Sequence, residues 1–538
     1  MVNLIFKIFI IFYFSSLCSQ PENKFATFDW VQYSSPGNIN SISFSNYFVY
    51  LGTNNSGIIR YDYNLQKFVY PIATPQGLKS NQVFLVHVLE NGTVYALTSS
   101  GLEISFDGMG AWRSVPIFQM GLSKRNRFIS MGSSENYLWI KTFDSLFKFD
   151  LYDGRLIERV NFTSVDIKWS SSAFTTKDFN ELSYYYSIQD GWIFDGLGLI
   201  DSKGKRYKII SIADDSRGNV WIGCSNGLSF YSNKTMRLFS PLKYKFATND
   251  INVLGSHNDI WMAGGNNFNN EGITKFNPRA NSFKNYIFDD IMNVSKISIN
   301  TIFVDKEDVW FGGDGLIFFD KKDDSWLDKS HKLYGNMLIN KISKIDNNIW
   351  LGTRDGLFIY DIANDNFLND FNVETLRGLN ILDFYFKENI LITISNIGIS
   401  IIDTKNNKFY AGHKFGYKEK DFKYPIDFSS FSDIAFDNNK VYLLSREGVV
   451  SLDLKERKWS NVLNAALING KSANALAVKN NIFFISTFDG VYKYDKTSKL
   501  SEFYSYDFIK NINDVYIYNE FAYFGTRNGL ISFRYLNR

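Results

Sequence analysis

The feature that most constrains the fold of this chain is a phrase of about twelve residues that recurs roughly every 43 residues. Clear copies are VWFGGDGLIFFD at 309–320, IWLGTRDGLFIYD at 349–361 and AYFGTRNGLISF at 522–533. About twelve copies of differing strength follow one another from residue 48 onward. A period of this length indicates a repeat architecture. The 538 residues are therefore expected to form an array of repeated units, and not a series of unrelated domains of ordinary size.

Each copy has the pattern of a β-hairpin. Apolar residues alternate with small or polar ones in both halves, as in half-buried strands. The halves are joined by pairs such as Asp355-Gly356 and Asn528-Gly529, which favour tight hairpin turns. A short apolar stretch precedes each hairpin, and an Asp, a polar turn and an aromatic residue follow it, as from Asp361 to Phe367. One unit is therefore four antiparallel strands in about 43 residues, the size of a β-propeller blade.

The fold class predicted is all-β, a β-propeller of about twelve four-stranded blades. Because most propellers have four to eight blades, the pattern favours two packed rings of six or seven blades. We place the first ring in residues 21–290 and the second in 291–538. The last copy has no outer strand of its own, whereas residues 26–34 resemble an outer strand without a hairpin. We predict that this N-terminal strand completes the last blade, because an open edge would invite aggregation.

Several recurrent residues are explained by packing alone. The Gly that follows the Trp in most copies is expected where two backbones approach closely, and the Asp at each outer turn is expected to form that turn. Cys224 lies in a repeat strand and is predicted to be a small buried residue. Tryptophans at equivalent repeat positions are predicted to pack between blades and not to form a ligand platform; they are Trp139, Trp221, Trp261, Trp310 and Trp350.

Residues 1–20 have the layout of a secretory signal peptide. Lys7 precedes the apolar run from Ile8 to Phe14, and small residues follow. The run is shorter than the roughly 20 residues that span a bilayer, and no later run reaches that length. A buried N-terminal strand is the alternative. Leu17 does not suit lipid attachment at Cys18, so we expect cleavage without a lipid anchor, and an extracytoplasmic protein (periplasmic, cell-surface or secreted) with no membrane span.

Composition excludes two broad classes. Apolar residues make up 45% of the chain, which is too many for a disordered protein. The 58 Lys and Arg against 55 Asp and Glu leave a net charge of +3, which is unlike a nucleic-acid binder. We therefore expect no nucleic-acid partner.

The phrase IWLGTRDGLFIYD, with the apolar stretch before it and the Asp and aromatic residue after it, resembles the two-component regulator propeller repeat. Copies at 220–231, 309–320 and 522–533 are similar, and the resemblance covers nearly all of the chain beyond residue 20. It implies a tandem propeller outside the membrane, as in hybrid sensor kinases that often detect glycans. Similar propellers occur in surface proteins of bacterial secretion systems. The resemblance does not extend to a kinase, so we expect at most a sensory component.

No catalytic motif stands out. The four histidines are His87, His257, His331 and His413, and none has a metal-ligand spacing. No phosphate-binding loop is present. We predict no catalytic residue, no metal and no cofactor. A propeller-type polysaccharide lyase or hydrolase remains an alternative, and it would require His331 or His413 beside carboxylates at the channel.

Binding is the function that the pattern favours. Hairpin tips of successive blades cluster on one face of a propeller, and here they carry residues suited to sugar hydroxyls or peptide groups. Turns are polar for their own reasons, so this is a hypothesis. We predict an exported, non-catalytic protein that binds a glycan or a peptide, with an envelope or secretion-system scaffold for protein–protein interaction as the alternative. The candidate residues are Arg354, Asp355, Arg446, Glu447, Phe488, Asp489, Arg527 and Asn528, with Asn267 and Phe268 on the longest tip.

Overall fold

The structure is a computed structural model, and it divides into two compact units, Met1–Lys245 and Phe246–Arg538. The sequence places the divide at 290/291, about 45 residues later. The difference arises because residues 253–287 form a sheet beside the other sheets of the second unit. The structure describes residues 25–536 except 109, 174–186, 189–191, 196–197, 216, 232–236, 239–241, 265–270, 335–336, 421, 423–430 and 465–472.

The second unit is a closed ring of seven antiparallel sheets, which we number as blades I to VII. The innermost strand of each blade lies beside that of the next, and the innermost strand of blade VII lies beside that of blade I. The chain is all-β, and its β-propeller architecture is clearest here. The blades are I (β24–β27), II (β28–β31), III (β32–β35), IV (β36–β39), V (β41–β44, with β40 along its outer edge), VI (β45–β48) and VII (β49–β51), in the strand bounds that follow.

The strands of the second unit are β24 (Val253–His257), β25 (Asp259–Ala263), β26 (Gly272–Asn277), β27 (Ser282–Ile287), β28 (Ile299–Val304), β29 (Asp308–Gly313), β30 (Leu316–Asp320), β31 (Ser325–Asp328), β32 (Ile339–Ile345), β33 (Asn348–Thr353), β34 (Gly356–Asp361), β35 (Asn366–Leu368), β36 (Ile381–Lys387), β37 (Ile390–Ser395), β38 (Gly398–Asp403), β39 (Lys408–Ala411), β40 (Tyr417–Lys418), β41 (Phe431–Asp437), β42 (Lys440–Ser445), β43 (Gly448–Asp453), β44 (Lys458–Asn464), β45 (Ala473–Lys479), β46 (Ile482–Thr487), β47 (Gly490–Asp495), β48 (Leu500–Tyr504), β49 (Ile512–Tyr518), β50 (Phe521–Thr526) and β51 (Gly529–Arg534). Helix α1 (Phe371–Glu374) is one turn long, and 3-10 turns occupy Phe288–Asp290, Ser330–Lys332, Gly412–Lys414 and Asp507–Ile509.

The first unit is built from the same repeat. Three regular sheets follow one another, β2–β5, β6–β9 and β10–β13, and a fourth centres on β19–β21. The inner strand β2 lies between β6 and β19. The strands are β1 (Trp30–Tyr33), β2 (Ile39–Phe44), β3 (Phe48–Thr53), β4 (Ile58–Asp62), β5 (Lys67–Ile72), β6 (Val83–Val88), β7 (Val94–Thr98), β8 (Gly101–Ser105), β9 (Arg113–Pro116), β10 (Phe128–Ser134), β11 (Tyr137–Thr142), β12 (Leu146–Asp150), β13 (Leu156–Val160), β14 (Lys168–Trp169), β15 (Ser172–Ala173), β16 (Ser187–Ile188), β17 (Ile193–Phe194), β18 (Gly198–Ile200), β19 (Arg206–Asp214), β20 (Val220–Cys224), β21 (Leu228–Tyr231), β22 (Arg237–Leu238) and β23 (Leu242–Lys243), with 3-10 turns at Thr74–Gln76, Ile117–Met120 and Ser225–Gly227.

The core lies between neighbouring blades, as the repeat predicts. The five repeated tryptophans are buried, with Trp350 the most exposed at 9%, which confirms their packing role. Trp261 stacks on Tyr286 of its own blade and meets Phe311 of the next at 5.8 Å. Cys224 is also buried, and burial raises the pKa of its thiol. Apolar burial between blades is thus the main force that holds each unit together.

The repeated Gly permits close approach of adjacent blades, as predicted. A Cβ added at Gly312 would lie 2.7 Å from Ile342 and 2.8 Å from Ile339 of the following inner strand. The outer-turn Asp is a turn former, also as predicted: Asp361 Oδ1 accepts the backbone N–H groups of Ala363 and Asn364. Among the residues that the structure describes, no helix is long and apolar enough to cross a membrane.

Candidate functional site

The inner strands of all seven blades line an open channel of about 590 Å³ in the second unit. In blades II to VII the pairing of each inner strand skips one residue near its start, which is a β-bulge. A bulge turns its extra side chain away from the regular alternation. The skipped residues, and Asn252 just before β24, all line the channel; we call them the collar: Asn252, Asn300, Asn340, Leu382, Ser432, Asn474 and Asn513.

Some collar residues form hydrogen bonds between adjacent blades. Asn340 Nδ2 donates to Asn380 Oδ1 at 3.0 Å and to the carbonyl of Ile381 at 2.8 Å, both at the start of the following blade. Asn513 Nδ2 donates in the same way to the carbonyl of Ile251 at 3.0 Å, across the junction of blades VII and I. Asn474 lies exposed at the channel. The collar therefore combines structural amides with amide groups that face the channel.

One residue beyond the collar, four inner strands carry a charged side chain in the channel; we call them the charged belt. They are Lys341, Asp383, Asp433 and Asp514. Lys341 Nζ lies 2.9 Å from Asp383 Oδ1. Asp383 is 6% exposed, while 36% of the Lys341 side chain faces the open channel. An ion pair of this kind retains its charge only because each partner compensates the other.

The aspartates of the belt also fasten adjacent inner strands. Asp383 Oδ2 accepts the N–H of Ile434 at 3.2 Å, and Asp433 Oδ2 accepts the N–H of Leu476 at 2.7 Å. Asp514 Oδ2 accepts the N–H of Leu254 at 2.7 Å, which closes the ring from blade VII to blade I. Each carboxylate thus supplies a hydrogen bond between blades that have no continuous sheet between them.

Confinement in the channel shifts the proton affinities of the belt. Burial raises the pKa of Asp514 to about 6. The backbone N–H groups of Leu254 and Val515 act in the opposite direction, because they stabilise the charged carboxylate. Burial and the charge of Asp383 raise the pKa of Asp433 well above its usual range. Burial opposes the charge of Lys341, but the carboxylates of Asp383 and Asp433 outweigh it and raise its pKa. Two aspartates of the belt, Asp433 and Asp514, therefore have a pKa above the usual range of an Asp.

Those predicted tip residues that the structure describes lie at the same end of their blades as the collar. In blade III, the N–H of Arg354 donates to the carbonyl of Leu338, two residues before the collar residue Asn340, at 3.1 Å. The Thr353 hydroxyl shapes the tip, because it donates to the Gly356 carbonyl at 2.9 Å and accepts the N–H of Asp355 at 3.1 Å. The described tips therefore surround this mouth of the channel, but their predicted residues are not among the described residues that line it.

The structure brings three of the predicted cations to one face of the ring. Arg354, Arg446 and Arg527 stand at the tips of blades III, V and VII, and their side chains are exposed. In the described part of the chain, none of the three guanidinium groups forms an ion pair or a hydrogen bond. Phe488, at the tip of blade VI, is 66% exposed. The other predicted positions are exposed or half-buried at these tips, namely Asp355, Glu447, Asp489 and Asn528, whereas Asn267 and Phe268 lie outside the described residues.

Sequence reasoning missed the collar and the charged belt. A signal for the belt was present: the third residue of an inner-strand segment is charged in INKISKI, ILDFYFK, FSDIAFD and INDVYIY, although the strands around it are apolar. His331, one of the histidines that the lyase alternative requires, is not among the described residues that line the channel. His331 lies in the 3-10 turn Ser330–Lys332 and His413 in Gly412–Lys414, and no histidine is among the described lining residues.

The first unit contains one buried histidine. His87 is 3% exposed, and its Nε2 lies 2.9 Å from Ser133 Oγ while its Nδ1 contacts Ser170 Oγ. Burial, with the charge of Lys168, lowers its pKa to about 4. The imidazole is therefore neutral at pH 7 and joins three inner segments by hydrogen bonds. Across the described ranges, no group of three or more His, Cys, Asp or Glu side chains is arranged to hold a metal ion.

Neither a protein-family model nor a curated protein matches this chain. Solved structures do. The extracellular domain of the putative hybrid two-component system BT4673 from B. thetaiotaomicron is 16% identical over 95% of this chain and 71% of its own, with a TM-score of 0.44. The corresponding domain of BT3049 is 14% identical over 92% and 81%, with a TM-score of 0.30.

A third similar structure is PorZ, a bacterial surface component of the type-IX secretion system of Porphyromonas gingivalis. It is 11% identical over 94% of this chain and 87% of its own, with a TM-score of 0.35. Two of these three structures are therefore extracellular domains of putative hybrid two-component systems.

Proposed function

We propose that this protein is an exported, non-catalytic β-propeller that recognises a glycan or a peptide. The ligand binds at the mouth of the seven-bladed ring on the side of the collar. The role of the protein in signalling is at most that of a sensory component. The observation that carries the proposal is a set of three exposed arginines, Arg354, Arg446 and Arg527, around an open polar channel; no ion pair joins them to any described residue. Guanidinium groups bind carboxylates through paired N–H donors, and amides such as Asn474 bond hydroxyl or peptide groups.

The arrangement suits recognition because the site is built on a rigid frame. The tips are fixed by backbone bonds such as Arg354 N to the Leu338 carbonyl, and the ring beneath them is fastened by the belt. A ligand would meet preordered groups and would cost little conformational entropy in the protein. The proposal includes export by cleavage after the first 20 residues, as the sequence predicts.

The test is a thermal-shift and calorimetric titration of the secreted protein with panels of oligosaccharides and peptides. A ligand that binds only the folded state raises the melting temperature in a dose-dependent way. For such a ligand, we expect the triple variant R354S/R446S/R527S to lower affinity by at least about tenfold, as the loss of about 1.4 kcal/mol would.

The matched control is K322S/K405S/K455S, which removes three exposed cations from outer turns at the other end of blades II, IV and V. We expect it to change affinity by less than about twofold, because these side chains lie far from the collar. Equal losses in both triple variants would show a general charge effect. A ligand that is unaffected by the arginine variant would bind elsewhere, and either result would reject the proposed site.

The scaffold alternative is favoured by one observation on the first unit. Phe106 and Tyr152 are 51% and 70% exposed, and their ring centroids lie 5.5 Å apart at an interplanar angle of 35°. Exposed aromatic pairs are common anchors of protein interfaces. If no panel ligand binds, loss of an envelope partner in F106S/Y152S pull-downs, with the partner retained by R354S/R446S/R527S, would support the scaffold function.

A further inference from the structure

A second surface, on the first unit, concentrates positive charge around an exposed aromatic ring. It consists of Lys124, Arg125 and Arg127 on the segment between the 3-10 turn Ile117–Met120 and β10, of Arg159 on β13, and of Phe143 at the β11–β12 tip. We call these five residues the basic surface. It is separate from the collar and does not depend on the proposed function of that site.

Contacts hold the basic surface together. The N–H of Phe143 donates to the Arg127 carbonyl at 3.0 Å, and the Arg127 guanidinium lies 5.7 Å from the Phe143 ring centroid. Arg159 Nε donates to Ser145 Oγ at 2.8 Å, two residues beyond Phe143. Both arginines therefore approach the same hairpin tip, one from the connecting segment and one from the outer strand.

The connecting segment lies on the same face of this sheet as Arg159. Met120 and Leu122 are buried in the cluster that contains Phe147 and Phe149, and Leu156 of β13 packs against it. Arg159 pairs with Phe147, and its guanidinium lies 5.4 Å from that ring. Lys124, Arg125 and Arg127 come a few residues after Met120 and Leu122 in the chain, and those two buried residues hold the segment beside β13.

Among the described residues, no carboxylate forms an ion pair with the cations of this surface. Phe143 is 70% exposed, and the four cations are also exposed. None of the four forms an ion pair with a carboxylate in the described ranges, and Asp144 is the one acid within the tip itself. The local excess is therefore about +3, as large as the net charge of the whole 538-residue chain. Such concentration indicates an anionic partner.

We propose that the basic surface binds an anionic polysaccharide that carries carboxylate or sulfate groups. The guanidinium forks of Arg125, Arg127 and Arg159 would take the anionic groups, and the Phe143 ring would pack against the apolar face of a sugar between them. An acidic peptide would satisfy the cations but has no need of the central exposed ring. The ring therefore favours the polysaccharide as the occupant.

The test measures binding of the secreted protein to dextran sulfate and to polygalacturonate, with unsulfated dextran as the neutral polymer and poly-glutamate as the acidic peptide. We expect binding to both anionic glycans, none to dextran, and weaker binding at higher salt because surface charges are screened. K124S/R125S/R127S is expected to reduce glycan affinity by at least about tenfold. F143A is expected to reduce it by about threefold or more, with little effect on poly-glutamate.

One variant serves as the control. K322S/K405S/K455S removes the same number of positive charges from other exposed turns, and it should retain glycan binding within about twofold. The changed residues are exposed, so all variants should melt near the wild-type temperature, which circular dichroism checks. Absence of glycan binding, an equal loss in the control variant, or tighter binding of poly-glutamate with no effect of F143A would each overturn the proposal.

Discussion

At the residue scale, each aspartate of the charged belt has two structural roles in the channel of the second unit. The belt aspartates face the channel, yet each also accepts a backbone N–H from the next blade, as Asp514 does from Leu254. A carboxylate is suited to this role because it is an acceptor only and bonds an N–H strongly. Burial also disfavours the charged form of the carboxylate, and it raises the pKa of Asp514 to about 6.

The raised pKa of Asp514 predicts a dependence of stability on pH. In the unfolded chain an Asp titrates near 3.9, so the folded state holds this proton more tightly. The stabilising contribution is fully present below about pH 4 and is lost as the pH rises through about 6. Asp514→Asn mimics the protonated form. We expect the melting temperature of the variant minus that of wild type to be more positive at pH 7.5 than at pH 4.5.

Thermal melts of both proteins across pH 4–8 give this comparison. Asp507→Asn is the control, since Asp507 is 78% exposed and pairs with Lys510 at the surface. Its effect should not grow with pH. A difference between Asp514→Asn and wild type that is the same at both pH values would contradict the link between Asp514 and this pH dependence.

At the element scale, the repeat is maintained by contacts between blades. In a propeller each sheet buries its faces only against its neighbours, so the spacing between inner strands must suit the side chains at that point. Gly312 marks such a point, because the Ile339 and Ile342 side chains of blade III occupy the space that its own side chain would need. Gly525 has the same relation to Ile251 across the junction of blades VII and I.

We predict that side chains of increasing size at Gly312 destabilise the protein progressively. Gly312→Ala should cost about 1–3 kcal/mol, as overpacking does, and Gly312→Val more. Gly204 is the comparison, because its φ of +80° disfavours any side chain while nothing lies within 4 Å of a Cβ there. Gly204→Ala should therefore cost about 1–2 kcal/mol through backbone strain alone, and Gly204→Leu a similar amount because Leu is not branched at Cβ.

Urea denaturation of the four variants measures these free energies of unfolding. If the loss of stability grows with side-chain size at Gly312 but not at Gly204, the loss at Gly312 comes from close packing between blades and not from backbone strain. Equal costs for Ala and Val at Gly312 would show that blades II and III can move apart without penalty.

At the scale of the whole molecule, the N-terminal strand β1 bears on how the last blade is completed. Strand β1 is buried along its length, from Trp30 to Tyr33, but it is in no ladder with a described strand of the first unit. Side chains such as Gln76, which donates to the Trp30 carbonyl at 2.6 Å, fix it in place. We retain the prediction that residues 26–34 complete the last blade, whose third strand is β51.

This prediction can be tested with Val31→Pro, which removes one N–H from β1 and restricts its backbone. If β1 completes the last blade, hydrogen exchange should become faster for those amides of β51 that do not pair with β50. Exchange in β47 of blade VI should be unchanged. Unaltered exchange throughout β51 would show that the N-terminal strand serves only the first unit.

The local repeat was sufficient to predict the four-stranded blade, the buried tryptophans, the close-approach glycines and the turn-forming aspartates. These features depend on residues near one another in the chain, and period-two alternation with Asp-Gly turns expresses them directly. The arginines at the tips were likewise found from their place in the hairpin. Their use in binding stays a prediction.

The channel and the basic surface could not be found in the same way, because each gathers residues that are far apart along the chain. Lys341 and Asp383 belong to successive blades, and Asp514 meets Leu254 only when the ring closes. Arg127 and Arg159 share a hairpin tip because a connecting segment folds back beside β13. A repeat determines what each blade is, whereas the closure of the ring decides which side chains of different blades share one space and one set of charges.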